Sequence, residues 1–102
     1  MDTQLKKGFL DISVLCVVKD CDSYGYQIIK DLSQYMDLSE STLYPILKRM
    51  QSNGYLTTYQ QEHGGRLRRY YSITPQGKKR IDEFLTEWHE VENILNYIKD
   101  RA

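Results

Sequence analysis

Apolar positions recur at helical spacing through most of this chain and switch to alternation in its middle third. In residues 7–19, KGFLDISVLCVVK, the apolar set Phe9, Leu10, Ile12, Val14, Leu15, Cys16, Val17 and Val18 covers a wide face. Its β-branched run would also suit a strand, but the three- and four-residue spacing of Phe9, Ile12 and Cys16 and the length favour a helix. A face that wide must be covered on more than one side. Asp20, Cys21 and Asp22 read as a turn, with Ser23 as N-cap of a second helix over residues 24–35. In that helix Ile28, Ile29 and Leu32 face inward and Tyr26, Lys30 and Gln34 outward. Gly25 lies inside it, where glycine is unfavourable by about 1 kcal/mol relative to alanine, an expense explained by close approach of another backbone.

The run SESTLYPILKRMQSNGYL, residues 39–56, predicts a third helix. Ser39 or Ser41 can cap its first turn, Gly54 stands at its left-handed end, and Leu43, Ile46, Leu47 and Met50 form a core stripe. Ser41, Thr42, Tyr44, Lys48 and Arg49 fall mostly on the other side. Pro45 must sit within or just after the first turn, because deeper in a helix it removes a backbone bond. After Gly54 the period becomes two: residues 55–61 and 68–73 read as strands, and residues 62–67, centred on Gly64 and Gly65, as the loop of a hairpin. Alternation puts Arg66 and Arg68 on one face of that hairpin and Arg69 on the other. Thr74-Pro75 then restarts a helix. Ile81, Phe84, Trp88, Val91, Leu95 and Ile98 follow at alternating spacings of three and four, a heptad seam widened by Leu85 and Ile94. A helix over residues 75–100 would be about 39 Å long at 1.5 Å per residue, more than one small domain covers. The surplus should pack on a second copy, through Ile81, Phe84, Trp88, Val91, Leu95 and Ile98, and partly on the first helix.

The formal charge of the 102-residue chain is zero, yet residues 48–80 hold eight Lys or Arg against the single acid Glu62. This basic patch bears on partners more than the total does. No apolar run approaches the roughly 20 residues that span a bilayer and no signal pattern opens the chain, so a cytoplasmic protein is expected. Cys16 reads as a reduced core residue and Cys21 as incidental; neither has the spacing of a disulfide framework or a metal site, and no cofactor is expected. His63 and His89 have no partner arrangement for catalysis, and Gly64-Gly65 joins strands instead of cradling a phosphate, so an enzyme is not expected.

A supporting helix, two helices joined by a short turn and a basic hairpin make a winged helix-turn-helix order. The fold class expected is therefore mainly α with a small β-hairpin, divided into a winged helix-turn-helix domain over residues 1–74 and a dimerisation helix over residues 75–102. Hydroxyls and cations on the third helix, with arginines beside it, suit double-stranded DNA: Ser41, Thr42, Tyr44, Lys48 and Arg49 in the groove, Arg66 and Arg68 on phosphate or minor groove, and the outward Tyr26 as a further DNA contact. Two-fold symmetry would set two such surfaces on the half-sites of a pseudo-palindrome, roughly 34–36 Å apart. The competing expectation is a winged helix that binds protein and lacks sequence-specific DNA binding.

Three stretches, YGYQIIKDL, SESTLYPILKRMQSNGYL and GGRLRRYYSITPQGKK, together resemble the PadR family of bacterial transcriptional regulators, over residues 9–98. The resemblance implies a homodimer joined by its single C-terminal helix. It also implies repression of stress, detoxification or efflux genes, relieved by a small, often aromatic ligand. Trp88 falls where some relatives stack a planar ligand, and Leu67 stands where the family often has Pro or a basic residue.

Overall fold

The computed structural model describes residues 3–102 and runs α1 (Thr3–Asp20), α2 (Gly25–Leu32), α3 (Glu40–Ser52), β1 (Leu56–His63), β2 (Arg66–Ile73) and α4 (Pro75–Arg101). It is mainly helical with one two-stranded antiparallel sheet, as expected. The core gathers Leu10, Ile12, Val14, Leu15 and Val18 of α1, Ile28 and Leu32 of α2, Leu43, Ile46, Leu47 and Met50 of α3, Leu56 and Tyr71 of the sheet, and Ile81 and Phe84 of α4. Each set follows the period of its own element, so burial of one face fixes how that element is turned.

Ends are closed by local chemistry. Ser39 caps α3, its Oγ accepting from the Thr42 amide at 3.3 Å. At the other end the Gly54 and Tyr55 amides donate to the carbonyls of Gln51 (3.0 Å) and Met50 (2.9 Å), the paired bonds of a Schellman motif. Pro45 is the sixth residue of α3, just past the first turn. Thr74 caps α4, accepting from the Gly77 amide at 3.0 Å, while its own hydroxyl donates to the Gly54 carbonyl at 2.6 Å. The start of α4 is thereby clasped to the end of α3, and Gly77 packs so close to the Tyr55 carbonyl that a Cβ would overlap it.

Four expectations need correction. Ser23 does not cap α2; Tyr24 is the N-cap residue and offers no side-chain bond. Ser23 instead pairs with Tyr71, exchanging backbone bonds of 3.1 and 2.8 Å that add a third, one-residue strand to the sheet. The second helix ends at Leu32 instead of residue 35. The hairpin loop shrinks from six residues to two, because Gly64 (φ 58°) and Gly65 (φ 82°) supply the positive φ that a tight turn between twisted strands requires. His63 therefore pairs with Arg66 and Glu62 with Leu67. Cys16 is exposed, along a groove it shares with Phe9, Ile12, Val17 and Tyr35. Partial desolvation there pushes its thiol pKa up, against the opposing pull of Lys19.

Candidate functional site

At about 100° per residue, the buried stripe of α3 leaves Ser41, Lys48 and Ser52 on the opposite, outward face. Tyr44 falls on one edge of that face; Thr42 and Arg49 share the other. Ser41 and Thr42 are exposed, but their hydroxyls are engaged at the cap, 3.0 and 3.1 Å from Ser39 Oγ. Lys48 is exposed. Arg49 turns back into the protein and donates to Asp11 Oδ1 on α1 at 2.6 Å.

Beside the Tyr44 edge lies a cleft of about 600 Å³, lined by Tyr24, Gly25, Tyr26, Tyr44, Arg68, Arg69 and Tyr71. It opens between the first turn of α2, α3 and the inner strand of the hairpin. Three residues singled out in the sequence, Tyr26, Tyr44 and Arg68, meet there. Arg66 sits at the hairpin tip, exposed, next to Gly65. Arg69, which alternation had set on the other face, lines the cleft as well. Tyr24 was also missed as a cleft residue, although its place beside Tyr26 was the available signal.

The outer face of the hairpin is braced by aromatic rings. Tyr59 stacks on Tyr70 (5.5 Å, 10°), Tyr70 meets Tyr24 edge-on (5.5 Å, 73°), and the Arg68 guanidinium lies 3.9 Å above the Tyr24 ring. Tyr59 donates to Asp22 Oδ2 at 2.7 Å, and that hydrogen bond, more than any other cause, raises its pKa above the usual 10.0. A cation held over a ring keeps its charge while losing rotamer freedom, so Arg68 is set in place beside the cleft.

Trp88 lies at the middle of α4. Its ring is half-buried and tilted on Phe9 of α1 (4.7 Å), with Phe84 at 6.1 Å. The heptad seam divides at this point. Ile81 and Phe84 are buried inside the chain (4% and 9% exposed), whereas Val91, Leu95 and Ile98 are 41%, 44% and 54% exposed. Of the six seam residues, Phe84 and Trp88 pack on Phe9 of α1, and Val91, Leu95 and Ile98 form the exposed distal part. Among the described residues no group of His, Cys, Asp or Glu could hold a metal ion, and no helix is long and apolar enough to cross a membrane.

Three helices, a bridging residue and a two-stranded wing, with an exposed helix face next to an arginine-lined cleft, define a winged helix-turn-helix protein. The model of the transcriptional regulator PadR-like family matches residues 14–83. The chain belongs to that family, whose members are transcriptional regulators and not enzymes. It is similar to a transcriptional regulator from Clostridium thermocellum at 32% identity and TM-score 0.83, covering 92% of this chain and 96% of that one. It is 30% identical over 81 residues to the transcriptional regulator Rv3488 of Mycobacterium tuberculosis, 78% of this chain and 76% of the relative. Bacillus subtilis PadR in complex with operator DNA shares the fold at 23% identity and TM-score 0.69, over 74% of this chain and 46% of that one.

Proposed function

We propose that the chain is a sequence-specific DNA-binding regulator that acts as a homodimer. The observation that carries this reading is the cleft in which Tyr26, Tyr44, Arg68 and Arg69 converge beside the outward face of α3. Lys48 and the cap hydroxyls of Ser41 and Thr42 would meet base edges in the major groove, and the cleft would take the flanking phosphates. The first turn of α2 has no side-chain cap, so its backbone amides can donate to the same phosphate. Arg66 would reach phosphate or minor groove from the wing tip. Arg49 is given no direct DNA contact in this reading, since Asp11 holds it.

Residues 1–74 would supply the reading head and residues 75–102 the joint between copies, with the first turns of α4 shared by both. Val91, Leu95 and Ile98 leave the distal half of α4 with an apolar face that a second copy would cover, pairing two reading heads on a pseudo-palindromic operator. Trp88, half-buried against Phe9, would form one wall of a slot for a small planar aromatic ligand whose binding releases repression of stress, detoxification or efflux genes. The deciding experiment is fluorescence anisotropy of the full chain with DNA from upstream of its own gene and a scrambled control, at several salt concentrations. Binding roughly 10³-fold tighter to the native fragment is expected. Equal, salt-sensitive binding to both, or none, overturns the reading in favour of a protein-interaction module.

A further inference from the structure

We propose that Asp11 is a positioning residue for DNA reading: through Arg49 it fixes the angle at which α3 is presented, and so sets discrimination between DNA sequences without touching DNA. The inference rests on the DNA-binding reading above. The pair is short, 2.6 Å, and its two side chains are 36% and 21% exposed, so solvent screens it less than an open surface pair. Among the described residues it is the ion pair that joins two elements; Arg80–Glu83 and Arg80–Glu87 both lie within α4. Asp11 sits near the middle of α1 and Arg49 in the last turn of α3, so the bond spans 38 positions of sequence. It crosses a polar hollow of about 140 Å³ that Gly8, Asn53, Tyr55 and Arg80 also line. Arg80, the other cation there, is drawn off by Glu83 and Glu87, which leaves Asp11 facing Arg49.

The apolar stripe of α3 sets which side of the helix is buried, but a stripe of Leu and Ile tolerates small rotations and slides. A charge-assisted bond at the C-terminal end removes that freedom, with the Ser39 cap fixing the other end. Base readout needs side chains placed to a fraction of an ångström, whereas phosphate contacts accept more play. Loss of the bond should therefore erode sequence discrimination more than overall affinity. It would also free a cation close to the DNA, which sustains binding to any sequence.

The test uses the full chain and two DNA probes: a fragment enriched by the wild-type protein from random-sequence DNA, and its scrambled form. Asp11→Asn should weaken binding to the enriched fragment about tenfold and change binding to the scrambled one by no more than about twofold, with Asp11→Glu recovering most of the difference. Amide exchange in the last turn of α3 should quicken in Asp11→Asn and return towards wild type in Asp11→Glu. Equal weakening on both probes, or an unchanged ratio, overturns the proposal, and so does unchanged exchange. If the wild-type protein enriches no sequence, the DNA-reading proposal fails separately, and the exchange measurement alone decides whether Asp11 holds α3.

Discussion

The ring of Tyr44 occupies the space that a side chain at Gly25 would need: a Cβ there would lie 2.8 Å from the Tyr44 hydroxyl oxygen and 3.2 Å from Cζ. The neighbour that glycine admits is thus a side chain of α3, not a second backbone, and the contact keys the first turn of α2 to the edge of the reading face. Gly25→Ala should gain less stability than helix propensity alone offers, because Tyr44 must shift, and should stabilise by up to about 1 kcal/mol in a Tyr44→Ala background, where that obstacle is gone. Urea unfolding of the two single variants and the double variant measures that coupling.

The divided seam of α4 separates two kinds of substitution. Ile98→Glu or Leu95→Glu should leave a folded chain that sediments as a single copy, because these side chains are exposed in the chain itself. Ile81→Glu should unfold it, since burying an unpaired carboxylate costs several kcal/mol. Sedimentation velocity with circular dichroism distinguishes the outcomes; a chain of wild-type stability that never pairs would refute the dimer.

The hairpin should depend on its rings. Tyr70→Ala removes a stacked and an edge-on partner together and should cost about 1–3 kcal/mol. The Tyr59 pKa is raised in the folded state, so the contribution of its bond to Asp22 is complete below pH 10.0 and disappears as pH rises through the raised value. Spectrophotometric titration of Tyr59 against Asp22→Asn should show the variant ionising at lower pH.

Cys16 should alkylate more slowly at neutral pH than a free cysteine, because desolvation keeps its thiol protonated. Peptide mapping after a timed iodoacetamide pulse checks the rate.

The proposed ligand slot at Trp88 can be tested optically, as Trp88 is the only tryptophan in the chain. Planar aromatic compounds should quench its emission in a saturable way, and Trp88→Ala should abolish their effect on DNA binding. Emission that stays constant across such compounds would remove the ligand slot from the proposal.

Much of this architecture was legible because burial imposes a period. Leu43, Ile46, Leu47 and Met50 declared the buried side of α3, and Thr74-Pro75 declared the start of α4. What stayed hidden depends on contacts between distant residues. Arg49 looked like Lys48 in sequence, and only the placement of Asp11, 38 positions earlier, separates their roles. Cys16 shares the apolar spacing of its neighbours, but it lines an open groove beside Phe9, Ile12 and Tyr35, so its side chain stays exposed. Ser23 has the composition of a cap and serves as a strand, because Tyr71 offers backbone partners at its level. The Ile81 and Phe84 half of the heptad seam could not be assigned to its own chain without knowing where α1 lies.

Gly77, wedged against the Tyr55 carbonyl, makes the root of α4 a fulcrum. From there to Arg101 the helix is a rod of roughly 36 Å, so a tilt of about 5° at the root displaces the far tip by roughly 3 Å. If two copies pair through α4 as proposed, a small molecule lodged near Trp88 would need to lean that rod only slightly to throw their reading heads out of step with the helical repeat of DNA.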